Sequence, residues 1–190
     1  RINYDGDLSD LIDQIADEYS LGRVLSYSVI EMGFEDFNIK LETTNSKYVI
    51  KIFSKDRTDA QIKRFVETIK NALDYGVNHP RLFSTREGEF IFAITPSLQL
   101  IVMAYVRGKT FYDLSRTPTK DELLMICAEA VKINSMDYEP EYIFDSWAIP
   151  NMKWMYEKTK DHLSAEGLSL VQKAFEVYDS IPLSDLPKCF

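Results

Sequence analysis

The apolar residues of this chain change their period four times, and the order of those changes leaves few folds open. In DLSDLIDQIADEYSLG, Leu8, Leu11, Ile12, Ile15 and Tyr19 recur at helical spacing, with Asp7 or Ser9 as the cap and Gly22 as the stop. Three strand-length runs follow, VLSYSVIEM, FNIKLET and KYVIKIF, joined through GFED and the turn-forming TNS. The helical period returns in TDAQIKRFVETIKNALDYG, where Ile62, Phe65, Val66, Ile69, Ala72 and Leu73 form one stripe; Asp59 or Thr58 opens it and Gly76 closes it. Short strands near RLFS, EFIFAIT and LQLIVMAYV come next. From Thr117 onward the patterns are helical only: TKDELLMICAEAVKINS, NMKWMYEKTKDHL and SLVQKAFEVYDSI. Hairpin-linked strands with one inserted helix, followed by helices alone, predict an α+β fold with an antiparallel sheet of about five strands. The expected divisions are an N-terminal helix over 1–22, a sheet-rich lobe over 23–106 and a helical part over 107–190. Gly108, in YVRGKT, is the hinge element between the last two.

Composition excludes several classes. The 190 residues carry 22 Lys and Arg against 30 Asp and Glu, a formal net charge of −8, which argues against a nucleic-acid or anionic-membrane surface. No apolar run is long enough to span a bilayer, and RINYDGDL lacks the layout of a signal peptide. Cys127 and Cys189 form no metal-type spacing and read as free thiols in a reducing cytoplasm. There are no internal repeats.

Lys51 is the residue that needs an explanation. It stands inside the strand KYVIKIF, where an unpaired buried ammonium would cost several kcal/mol, so it either snorkels to water or has an anionic partner. Glu67, on the following helix, is the candidate partner; the plainer alternative is a solvated face on which Glu67 pairs with Lys63 and Lys70. The loop GFEDFN can bring backbone amides close to a phosphate, or can simply be a hairpin turn. LQLIVMAYVRGKTFYDL is a strand running into a polar connection. It can offer backbone groups to a flat ring, or be an ordinary edge.

Taken together, these features resemble the N-terminal lobe of the protein-kinase-like fold, and more closely the aminoglycoside phosphotransferase and choline kinase group of small-molecule kinases. The matching words are YVIKIF, ETIKNALDYGVNHPRLF, IVMAYVRGKTFYDL (the family's LMEYIPGxxL pattern at the hinge) and EAVKINSMDY (its LHSLD phrase), within residues 20–190. The resemblance implies that ATP and Mg2+ are the cofactors. Lys51 would bridge the α- and β-phosphates with Glu67 as its ion-pair partner, Gln61 and Glu42 being the alternatives if the helix register shifts. Gly33, Phe34, Glu35 and Asp36 would form the loop over the phosphates. Met103 would back the adenine pocket, with Ala104, Tyr105 and Val106 along the adenine edge.

The family's H-G-D-x-x-x-x-N phrase is absent, and SIPLSDLPKCF resembles the segment that precedes it. No catalytic residue and no metal ligand is therefore expected within these 190 residues; both are expected beyond Phe190. The expectation is the ATP-binding portion of a cytoplasmic kinase acting on a hydroxyl of an aminoglycoside-like, aminoalcohol or sugar acceptor, inactive by itself. Trp147, Trp154, Met152 and Met155 would be left exposed and favour dimerisation, or else form an ordinary helix core. The alternative function is a non-catalytic, pseudokinase-like or interaction module. The remaining alternative is an unrelated α+β domain with a snorkelling lysine.

Overall fold

In the computed structural model, which describes residues 2, 4–31, 35–142, 144–145 and 148–182, Asp7 starts the first helix by accepting a 2.7 Å hydrogen bond from the Ser9 N–H. This helix, α1, spans Leu8–Glu18 and buries Leu11, Ile12, Ile15 and Ala16. It ends on Ser20 rather than Gly22. Ser20 takes φ +52°, and the Leu21 N–H closes on the Ala16 carbonyl at 2.8 Å. Gly22 serves the turn that follows, with φ +91°, where a Cβ would meet Thr44 Oγ1 at 2.7 Å.

Next come β1 (Val24–Ile30), β2 (Phe37–Thr43) and β3 (Lys47–Ile52), then α2 (Asp59–Asp74), then β4 (Leu82–Phe83), β5 (Phe92–Thr95) and β6 (Leu98–Ala104). All pairings are antiparallel. The order across the sheet is β1-β2-β3-β6-β4, with β5 also on β6. The sheet has six strands against about five expected; the short run near RLFS contributes the two-residue β4. Thr58 caps α2 in a capping box with Gln61, and Gly76 ends it at φ +82° with the Val77 N–H on the Ala72 carbonyl at 2.8 Å.

The TNS turn sets Glu42 opposite Lys47, which puts Asn38 opposite Lys51; on its other side Lys51 faces Ile101. Alternation then sorts the core into two layers. Tyr48, Ile50 and Ile52 join Ile39, Leu41, Leu100 and Val102 against α1. The opposite face carries Val49 and Lys51. Ile62, Val66 and Ile69 of α2 cover part of it, packed on Phe53, Leu82 and Ile101. Each of these aliphatic side chains contributes roughly 1.5–3 kcal/mol on leaving water.

The chain divides into two compact units, residues 1–140 and 141–190. In the first, helix α3 (Lys120–Asn134) is held by polar contacts: Glu129 accepts the Asn78 N–H at 2.8 Å, and Lys132 donates to the Gly76 carbonyl at 2.9 Å. None of its residues is buried, and Leu123, Leu124, Met125 and Ile126 are exposed. The second unit contains α4 (Met152–Thr159) and α5 (Ala165–Asp179). There Lys153 pairs with Asp179, and Tyr156 and Phe175 meet edge to face. Trp154 packs on Phe144 and is half exposed. Trp147, Cys189 and the tail from 183 lie outside the described residues. Among the described residues, no helix is long and apolar enough to cross a membrane.

Candidate functional site

Lys51 is the fifth residue of β3, and alternation turns it toward the α2 face. It does not snorkel. Its ammonium is 2.8 Å from Asp36 Oδ2, and only 16% of the Lys51 side chain and 4% of the Asp36 side chain are exposed. The Phe65 ring of α2 lies 5.5 Å from the Lys51 nitrogen, centroid to charge. Asp36 is held from a second side as well. Arg57 Nε donates to Oδ1 at 2.7 Å, Arg57 Nη2 donates to Oδ2 at 3.0 Å, and the Ser54 N–H donates to Oδ1 at 3.1 Å. Arg57 Nη2 also reaches Glu35 at 2.8 Å. Burial pushes the Asp36 pKa up. The Arg57 fork, the Lys51 ammonium and the Ser54 N–H outweigh it and hold the carboxyl below its ordinary value.

The local fold explains the pairing. Asp36 has the same parity as Asn38, which faces Lys51 across the β2–β3 ladder, so Asp36 is a diagonal neighbour on one sheet face. Such diagonals are roughly 7–8 Å apart at Cα, within reach of a lysine. Counting back from the TNS turn gives this geometry from sequence. Arg57, in the connection after β3, leaves no such trace.

The ion-pair partner expected for Lys51 was Glu67, and here the structure differs. Glu67 is 47% exposed, with its carboxylate 3.8 Å from Lys63. It follows Phe65 by two positions, roughly 200° further round the helix, so when Phe65 meets Lys51 Glu67 faces water. Gln61 is engaged in the α2 capping box, and Glu42 pairs with Lys47 at 2.7 Å at the other end of β3. Of the expected phosphate loop, Gly33 and Phe34 lie outside the described residues. Glu35 and Asp36 both present their carboxylates to Arg57.

At the far end of the same face, Met103 lies opposite Val49, and the Ala104 N–H is taken by the Arg81 carbonyl at 2.9 Å. The Tyr105 N–H bonds the Lys47 carbonyl at 3.1 Å, which fixes the start of the connection to β3. Val106 is exposed. The Lys40 ammonium lies 4.8 Å from the Tyr105 ring centroid. Asn38, Lys40, Val49, Lys51 and Met103 are each half-buried. They make a strip beside α2 that ends in a fixed cation near Asp36 and in the exposed Val106. Such a strip suits a flat, partly apolar group joined to an anionic one. Two surface depressions of about 490 and 300 Å3 lie elsewhere, one beside α1 and Arg86, the other between the β2–β3 turn and Arg107; neither is lined by Lys51 or Asp36. Among the described residues, no three His, Cys, Asp or Glu side chains come together to hold a metal ion.

No family model matches the chain. Two curated relatives are homoserine kinases. That of Bradyrhizobium diazoefficiens is 31% identical over 80 residues, and that of Rhodopseudomonas palustris is 28% identical over 93 residues. These matches span 40% and 47% of this chain but only 24% and 28% of the relatives. Among solved structures, a spectinomycin phosphotransferase, APH(9)-Ia, in complex with ADP and spectinomycin superposes with a TM-score of 0.63 at 12% identity, over 93% of this chain and 54% of that one. Amicoumacin kinase hAmiN, in complex with AMP-PNP, Ca2+ and Ami, superposes with a TM-score of 0.64 at 14% identity, over 96% of this chain and 55% of that one. The chain thus spans about half the length of these structural neighbours and about a quarter of its curated relatives. Over most of its length it has the protein-kinase-like fold of small-molecule kinases.

Proposed function

We propose that this chain is the ATP-binding portion of a small-molecule phosphotransferase, one that moves the γ-phosphate to a hydroxyl of an amino-bearing or sugar acceptor. The observation that carries this reading is an ammonium fixed by a buried carboxylate on a half-open sheet face, within a fold shared with kinases solved with ADP and AMP-PNP. Phosphoryl transfer needs the triphosphate positioned and its charge offset, and a held lysine contributes to both. In this reading Lys51 contacts the phosphates, beside the segment that carries Glu35 and Asp36. Met103, Ala104, Tyr105 and Val106 line the adenine side. Mg2+, when bound, would offset the charge of the phosphates. By role rather than by compact unit, we divide the chain at 1–22, 23–106 and 107–190, and place the protein in the cytoplasm.

The homoserine kinase relatives favour a small hydroxyl-bearing amino acid as acceptor over a large aminoglycoside. The unburied apolar residues of α3 and the half-exposed Trp154 favour self-association of the chain when it is isolated. The test is ATP-dependent phosphorylation of homoserine, choline, aminoglycosides and simple sugars by the protein carrying this chain. Turnover of one class, abolished in Lys51→Met, supports the reading. Nucleotide binding with no turnover of any acceptor supports the alternative, a non-catalytic pseudokinase-like module.

A further inference from the structure

We infer that Asp36 is a positioning residue for nucleotide binding: held in place by Arg57 and the Ser54 N–H, it orients the Lys51 ammonium toward phosphate and leaves two of its three donors for the ligand. The inference rests on the nucleotide reading above. Its basis is the count of donors that converge on one carboxylate. Arg57 takes both oxygens of Asp36 through Nε and Nη2, at 2.7 and 3.0 Å, and the Ser54 N–H takes Oδ1 at 3.1 Å. Lys51 takes Oδ2 at 2.8 Å. Arg57 is shared with Glu35 at 2.8 Å, so the four groups sum to zero and Lys51 is the member of the cluster with donors left for a ligand. An ammonium has three donors, and the bond to Asp36 uses one of them. The other two can meet phosphate oxygens while Asp36 and the Phe65 ring restrict the side chain. Glu67, exposed and beside Lys63, is poorly placed for that task.

The experiment is titration calorimetry of the chain with ADP and, separately, with adenosine. The proteins are the wild type, Asp36→Asn, Asp36→Glu, Lys51→Met and the double variant Asp36→Asn with Lys51→Met. Asp36→Asn is expected to weaken ADP binding about tenfold or more and leave adenosine binding unchanged, since loss of one ordered charge-assisted bond is of that size. Asp36→Glu, which retains the charge, should recover part of the loss. Adding Asp36→Asn to Lys51→Met should weaken ADP no further, because Asp36 acts through Lys51. A purely structural role would weaken both ligands, and would do so in the Lys51→Met background as well. If Asp36→Asn does not fold, Asp36→Glu decides: a selective loss of ADP affinity supports the inference and unchanged affinity overturns it. Unchanged or tighter ADP binding by Asp36→Asn overturns it alone. Wild type that binds no ADP overturns the nucleotide reading together with it.

Discussion

Replacing Asp36 by asparagine keeps the size of the side chain and one acceptor oxygen but removes the charge that Lys51 and Arg57 share. The consequence for stability follows from burial. Only 4% of the Asp36 side chain is exposed, and its two cations are 16% and 23% exposed. Removing one partner of a fully buried ion pair costs about 3–5 kcal/mol, because the survivor is left desolvated and unpaired. Lys51 and Arg57 retain some water, and the new amide oxygen can still accept the Ser54 N–H, so about 2–4 kcal/mol is expected here. For a chain of this size that lowers Tm by roughly 5–15 °C. Tryptophan emission is the wrong probe, since both tryptophans, Trp147 and Trp154, are in the unit at 141–190. Far-ultraviolet circular dichroism under urea, with amide exchange at Ile50 and Ile52, reports on the sheet. The pH dependence supplies a sign check. Asp36 has its pKa lowered by folding, so its contribution is present above the unfolded value of about 3.9 and is lost as pH falls through the folded value. The difference between wild type and Asp36→Asn should therefore be full at pH 7 and shrink in acid. A loss below about 1 kcal/mol at pH 7, or one that persists unchanged in acid, refutes the argument that the carboxylate is the centre of a buried charge network.

Other outcomes follow from the same geometry. Glu67→Ala should change stability by less than about 0.5 kcal/mol in urea melts, because its contact with Lys63 is solvated. Ile50→Ala, at a fully buried position against α1, should cost about 2–5 kcal/mol by the same melts. Thr58→Ala removes the capping box of α2 and should cost about 1 kcal/mol, read as faster amide exchange in the first turn of that helix.

Much of this architecture was legible because periodicity is a local signal. The stripe from Ile62 to Leu73 identified α2 and its buried face, and alternation in KYVIKIF placed Lys51 opposite Ile50 and Ile52. End points were less legible where a special conformation fell to an unexpected residue: Ser20, not Gly22, takes the left-handed position that closes α1. Strand β4 was legible as the short run RLFS, but only two of its residues pair, with Met103 and Val102, because that pairing is set by tertiary contact. The lysine's partner was misread for a related reason. Glu67 is suggested by its place on the following helix and by the family resemblance, whereas the observed pairing with Asp36 depends on strand register, which the hairpin fixes at Glu42 and Lys47. Arg57 could not be read at all, since its approach to Asp36 depends on how the SKDRT connection folds back.

The most direct test of the central claim is thermal unfolding of the chain with ATP, with and without Mg2+, alongside Lys51→Met. Ligand at 100 times its Kd adds about 2.7 kcal/mol, or roughly 5–11 °C for a domain of this size. The account predicts such a shift in the wild type and its loss in Lys51→Met. No shift at millimolar ATP, or an equal shift in both proteins, would contradict it.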